Sequence, residues 1–168
     1  MTVEFLVHPR AQSFRNALRN DPTGLLTQTL EAQAARSRPD FEVLYGAGQI
    51  ARQENTPGVE SVVADWLRMS VSPRRWDVSA CFLMGYWVTP VEPSEALVAL
   101  LVRQLGHINS HEPGWNEMVR ALSAAAALST DSAAVDRIRA ALRSAVARAD
   151  AASIQAGTAA ALDAVLGT

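Results

Sequence analysis

Two histidines at a metal-ligand spacing are the first residues of this sequence that could do chemistry. His107 and His111 are four residues apart, and Glu112 follows directly. On a helix this spacing would place both imidazoles on one face, where zinc could bind with the carboxylate as a third ligand. Gly106 and the segment 109–114 favour a loop instead, and no further cysteine, histidine or carboxylate group completes a site. The sequence therefore predicts a polar loop and no metal site.

Other catalytic patterns are incomplete. Gly46 and Gly48 follow no predicted strand and lack the next glycine of a phosphate-binding loop. Serine, histidine and aspartate residues occur, but no local pattern joins them into a nucleophilic triad. The sequence thus assigns no catalytic residue and no cofactor, and it favours a protein that is not an enzyme.

The elements that position these side chains are predicted to be helices. Apolar residues recur at intervals of three and four, whereas the alternation typical of strands is absent. Prolines, which helices tolerate in the first turn but not in the interior, divide the chain regularly. The predicted helices are 9–20, 22–37, 40–53, 57–70, 74–88, 93–106, 114–128, 131–148 and 151–166.

These helices pair into four hairpins after a leader helix at 9–20. The first helices of successive hairpins begin 35, 36 and 38 residues apart, a near-constant interval that is typical of stacked helical repeats. We therefore predict one all-α domain over 1–168, a short α-solenoid with an N-terminal capping helix. Its hairpins are predicted at about 22–53, 57–88, 93–128 and 131–166.

A recurring segment of the second helices supports this interpretation. The stretch from Val119 to Leu128 resembles the inner-helix signature of HEAT repeats, in which Val-Arg precedes a run of small residues ending in leucine. Segments that begin at Trp76 and Ile154 look like the same frame, and one that begins at Phe41 fits it loosely. Small residues let neighbouring helices approach closely. The resemblance implies HEAT-like hairpins whose second helices form an exposed groove.

The groove and the turns beside it are the predicted binding surface. Turns inside the hairpins collect basic side chains, which would attract an acidic partner. We expect a scaffold or regulatory adaptor that binds another protein or a peptide segment. The predicted contact residues are Glu42, Arg74, Arg75, Asp77, His107, His111, Trp115, Asn116 and Arg120.

Two alternatives remain open. DNA glycosylases built from HEAT-like repeats hold an alkylated nucleotide with Trp and Asp on the concave face, and the pairs 65–66 (Asp-Trp) and 76–77 (Trp-Asp) are similar to that constellation. A formal charge of −2 disfavours nucleic acid as a partner, because few phosphates could be neutralised. The other alternative is an immunity-type inhibitor of one dedicated partner.

Composition limits the class of protein. Hydrophobic residues make up 49% and charged residues 19%, which excludes intrinsic disorder, and no apolar run approaches the ~18 residues of a membrane span. All fifteen basic residues are arginine, which we attribute to a GC-rich bacterial genome. Cys81 lies in an apolar stretch, and residues 1–9 lack a signal-peptide pattern. We expect a cytoplasmic protein, with a monomer slightly favoured over a homodimer.

Overall fold

The computed structural model of the chain describes residues 9–69 and 72–167. Within these ranges the fold is all-α, and none of the described residues forms a strand. The prediction that residues 1–9 lack a signal-peptide pattern falls mostly on residues outside the described ranges, and so does the predicted helix end at residue 70. The helices are α1 (Pro9–Asn20), α2 (Pro22–Ala34), α3 (Phe41–Gln53), α4 (Val59–Met69), α5 (Pro73–Tyr86), α6 (Glu95–Leu105), α7 (Trp115–Leu128), α8 (Ser132–Arg148) and α9 (Ala156–Leu166).

Local signals set most of the helix starts. Pro22 and Pro73 occupy the first turns of α2 and α5, where the missing N–H would have no partner in the helix. Asp21 accepts a hydrogen bond from the Gly24 amide (3.0 Å), and Asp131 accepts one from the Ala133 amide (3.0 Å). Each carboxylate thereby satisfies an otherwise unpaired amide of the first turn.

The last helix begins later than its pattern predicts. The segment Ala151–Ser153 forms one turn of 3-10 helix, and α9 begins only at Ala156. Asn116 on α7 explains the break, because its amide nitrogen donates to the Ser153 carbonyl oxygen (3.1 Å) and its oxygen accepts from the Gln155 amide (3.0 Å). These bonds hold the backbone from 153 to 155 outside the helix.

The helices contact one another in two series. The helices α3, α5, α7 and α9 contact in chain order, and so do α2, α4, α6 and α8, while α1 packs on α2 and α3. Contacts between the two series bury one continuous core. None of the described helices combines the length and apolarity needed to cross a membrane.

Two glycines permit the close contact between α3 and α5. A Cβ atom added to Gly85 would overlap the Tyr45 carbonyl oxygen and lie 2.8 Å from the Tyr45 carbonyl carbon. A Cβ atom on Gly48 would likewise overlap the Phe82 carbonyl oxygen. Because the clashing atoms belong to the backbone, no side-chain rotation could relieve them, and only glycine fits at these two positions.

Polar side chains join elements that are far apart in sequence. Trp66 on α4 donates through its indole nitrogen to Glu31 on α2 (2.9 Å), and this bond satisfies a buried donor. Three of these pairs have similar separations along the chain. Arg19 and Glu54 are 35 residues apart, Glu31 and Trp66 are 35 apart, and Asn116 and Ser153 are 37 apart.

Candidate functional site

A groove of about 460 Å³ lies along the series α3, α5, α7 and α9, and we call it the inner groove. Tyr45 on α3 and Met84 on α5 contribute its larger side chains, and α7 and α9 contribute mostly small ones. Among the described residues, two charged side chains belong to the lining, Arg120 and Arg139, and no carboxylate does. The remaining lining residues are Ser123, Ala124, Ala126, Ala127, Gly157, Ala161, Ala164 and Val165.

Arg120 presents the least engaged cation of the inner groove. Its guanidinium carbon lies 5.8 Å from the centre of the Phe41 ring. The same group borders Gly157, where an added Cβ would be 3.7 Å from the guanidinium carbon. In the part of the chain that the structure describes, no carboxylate is paired with Arg120. A permanently charged group with five donors is thus available to an anion.

Arg139 supplies a second, fixed cation from α8. Its Nε donates to the Val165 carbonyl oxygen (3.0 Å) in the last turn of α9, which satisfies a carbonyl that has no partner within the helix. The bond holds the guanidinium beside the groove, and the terminal nitrogens keep donors that Val165 does not use. The two arginines therefore give the groove a positive potential in a chain whose formal charge is −2.

Asp77 is a half-buried carboxyl group on α5. Its Oδ1 accepts a hydrogen bond from the Cys81 thiol (3.7 Å). Burial, together with the neighbouring carboxylate of Glu117 on α7, raises the pKa of Asp77 to about 6. Gly114 packs closely against Asp77, because a Cβ atom added to Gly114 would lie only 3.0 Å from the Asp77 Cβ. A carboxyl group that burial disfavours in its charged form therefore lies between α5 and α7.

The thiol of Cys81 is expected to be inert in the folded protein. Cys81 is buried, as its apolar neighbours predict, and burial together with Asp77 raises the pKa of the thiol. Because the thiolate is the reactive form, the native protein should react with a thiol reagent such as DTNB at least about 100-fold more slowly than a free cysteine. The reaction in denaturant, which should release one thiol equivalent per chain, is the control. Rapid reaction of the native protein would contradict the packing of α5.

Arg74 and Arg75, predicted as contact residues in a turn beside the groove, make contacts within the protein. Arg74 donates through Nη1 to the Arg36 carbonyl oxygen (2.7 Å) just after α2. Arg75 donates to the Trp66 carbonyl oxygen (2.7 Å), pairs with Glu31 and lies 4.5 Å above the Trp66 ring. Both guanidinium groups thus connect α5 to α2 or to the segment just after it, and Arg75 also connects α5 to α4.

The structure places the tryptophans mainly in the core. Trp115, one of the predicted contact residues, is 1% exposed, and Trp66 and Trp87 are equally inaccessible. Trp76 is half-buried and packs against the core. The three buried rings offer no face on which a nucleobase could stack. Glu42, in contrast, is exposed in the first turn of α3.

His111 and Asn116 meet the turn that precedes α9. Ser153 Oγ lies 2.9 Å from His111 Nδ1, and Asp150 Oδ2 lies 3.9 Å from His111 Nε2. Neither Ser153 nor Asp150 was predicted from the sequence, because each lies about 40 residues from its partners and belongs to no local motif. His107 is exposed, and the described residues contain no cluster of three His, Cys, Asp or Glu side chains that could hold a metal.

Of the predicted contact residues, Arg120 is the one that lines the inner groove. Comparisons of the chain with protein-family models, with curated proteins and with solved structures gave no match. The geometry of the groove and its charges therefore carry the functional inference.

Proposed function

We propose that this protein is a small α-solenoid of HEAT-like hairpins that binds an acidic peptide segment of a partner protein in the inner groove. The observation that carries the proposal is the pair Arg120 and Arg139 in a lining that contains no carboxylate. Burying a charge without a counter-charge is costly, and so partly desolvated cations favour anionic ligands.

The repeat architecture of the proposal is supported by the helix contacts. Corresponding helices of a solenoid contact one another in chain order, and here α3, α5, α7 and α9 do so, as do α2, α4, α6 and α8. Glu31 on α2 and Trp66 on α4 are 35 residues apart, and Asn116 and Ser153 are 37 apart, which is close to the interval expected between consecutive hairpins. In such an architecture the second helices form the concave surface, on which the inner groove lies.

The shape of the inner groove favours a peptide. Small side chains from α7 and α9 leave room for a chain to lie against the helices, and the larger Tyr45 and Met84 offer apolar contacts. Apolar walls lower the local dielectric constant, which strengthens the attraction between a guanidinium and a carboxylate. Nucleic acid is a poorer fit, because Trp66, Trp87 and Trp115 are buried and the chain as a whole is acidic.

Binding of a labelled peptide tests the proposal. The probe is a short fluorescent peptide of glutamate and leucine, and the matched peptide carries glutamine in place of glutamate. Fluorescence anisotropy at low salt should show binding of the acidic peptide only. Arg120→Gln should raise Kd by about 10-fold to 100-fold, because charge-assisted hydrogen bonds contribute about 1.5–3 kcal/mol.

The matched control is Arg143→Gln, since Arg143 is exposed on α8 and does not line the inner groove. This variant loses the same charge and should bind the acidic peptide within about 2-fold of the wild type, since surface charges contribute little. Equal weakening in both variants, or equal binding of the two peptides, would contradict the proposal. Stronger binding of a single-stranded oligonucleotide, reduced by Arg120→Gln, would assign the groove to nucleic acid instead.

A further inference from the structure

We propose that Ser153, His111 and Asp150 form a nucleophilic site that hydrolyses small, activated acyl esters. The three side chains come from two segments, the loop that precedes α7 and the turn that precedes α9. Ser153 Oγ is within hydrogen-bond distance of His111 Nδ1 at 2.9 Å, and Asp150 Oδ2 faces the other ring nitrogen at 3.9 Å. This is the order nucleophile, base and carboxylate that acyl transfer requires.

The imidazole of His111 can act as the base in this orientation. When the ring proton is on Nε2, Nδ1 carries a lone pair and accepts the hydrogen bond from the Ser153 hydroxyl, while the N–H faces Asp150. The separation of 3.9 Å is longer than a hydrogen bond, so the exposed ring must rotate to bring Nε2 to Asp150. Catalytic hydrogen bonds are often long before a substrate binds.

Neighbouring groups hold the site in place independently of the histidine. Asp150 Oδ1 accepts a hydrogen bond from the Ala152 amide (3.1 Å), and the Asp150 amide donates to Ser110 Oγ (3.0 Å). The Ser153 carbonyl oxygen accepts from Asn116 (3.1 Å). Both ends of the turn are therefore fixed, which is the kind of support that a reactive arrangement needs.

The surroundings determine the class of substrate. The side chains of His111 and Asp150 are 68% and 53% exposed, and so an acyl group can approach from solvent without a deep pocket. Such a site favours small esters with a good leaving group, bound weakly. The carboxylates at the site are Asp150 and Glu112, the residue after His111, and so neutral acyl donors should react faster than negatively charged ones.

The reaction balances with water as the second substrate. Ser153 Oγ attacks the acyl carbon while its proton passes to His111 Nδ1. The ester C–O bond then breaks, and the departing alcohol oxygen takes that proton. Water attacks the acyl group on Ser153 by the same route, which releases the carboxylic acid and restores the hydroxyl. Asp150 is a positioning residue, which orients the ring and stabilises the imidazolium.

Labelling with a fluorophosphonate probe tests the nucleophile directly. Mass spectrometry of the full chain after digestion should place the label on Ser153. The label should be lost in Ser153→Ala and formed at least about 100-fold more slowly in His111→Gln, the usual contribution of a general base. Ser144→Ala, which removes an exposed hydroxyl on α8, is the control and should label normally. Label spread over several serines, or an unchanged rate in His111→Gln, would overturn the proposal.

Turnover of p-nitrophenyl acetate and of its succinate analogue gives a second readout. The wild type should hydrolyse both above the rate of Ser153→Ala, and the acetate faster than the succinate. Asp150→Asn should lower kcat and leave KM almost unchanged, because it removes the group that orients the imidazole and no contact with the substrate. Ser153→Ala keeps the backbone bonds to Asn116, so it should melt like the wild type. Equal turnover by these two proteins would overturn the proposal.

Discussion

Replacing Asp77 with asparagine should stabilise the protein by about 1–2 kcal/mol at pH 8 and have almost no effect at pH 4. Burial raises the pKa of Asp77 to about 6, so the folded protein holds this proton more tightly than the unfolded chain does. The wild type therefore loses stability as the pH rises from about 4 to above 6. Full burial would give a larger effect, and solvent screening at this half-buried site reduces it.

Urea unfolding of both proteins at a series of pH values between 4 and 8 measures this difference. The asparagine still accepts the hydrogen bond from the Cys81 thiol, so the comparison isolates the charge. Glu42→Gln is the matched control, because Glu42 is exposed in the first turn of α3, and it should change stability by less than about 0.5 kcal/mol. A stability difference that is the same at every pH would contradict the explanation by desolvation.

The destabilisation by Asp77 bears on the surface formed by α3, α5, α7 and α9. An ionised carboxylate beside Glu117 reduces stability at neutral pH, and an asparagine would avoid that loss. Destabilising charged groups of this kind are commoner at functional surfaces than elsewhere. The position of Asp77 on α5, in the same helix series as the inner groove, agrees with the use of that surface proposed above.

Local sequence signals predicted where helices begin better than they predicted contacts between distant residues. Prolines and capping aspartates such as Asp21 and Asp131 act within one turn, so they can be recognised in a short window of sequence. The delayed start of α9 could not be predicted in this way. It depends on Asn116, which lies 37 residues before Ser153 and competes for the backbone only after the chain has folded.

The candidate site residues differ in the same way. Some were predicted from the local sequence, and others depend on contacts between distant segments. Arg120 was predicted from its place in a recurring segment, and the structure puts it in the lining of the inner groove. Arg74 was predicted as a contact residue beside the groove because its turn is basic. The charge pattern of the turn cannot show that the Arg74 guanidinium donates to the Arg36 carbonyl oxygen, which lies 38 residues earlier in the chain. Ser153 and Asp150 carried no local signal, since only folding brings them to His111.

Gly85→Ala should be severely destabilising, with a loss of about 3 kcal/mol or more in the free energy of unfolding. The added methyl group would overlap the Tyr45 carbonyl oxygen, so α3 and α5 would have to move apart along a close backbone contact. Adding a carbon to a well-packed core usually costs about 1–3 kcal/mol, and a clash with backbone lies at the upper end or beyond. Urea or thermal unfolding followed by circular dichroism measures the loss.

Gly157→Ala is the matched control for this experiment. Gly157 also lies in a helix, α9, but a Cβ there meets nothing closer than 3.7 Å, so the better helix propensity of alanine should leave stability unchanged or raise it by up to about 1 kcal/mol. If Gly85→Ala changed stability as little as this control, α3 and α5 would not be in backbone contact. Because Tyr45 and Met84 both border that contact and line the inner groove, a folded Gly85→Ala protein should also bind the acidic peptide more weakly.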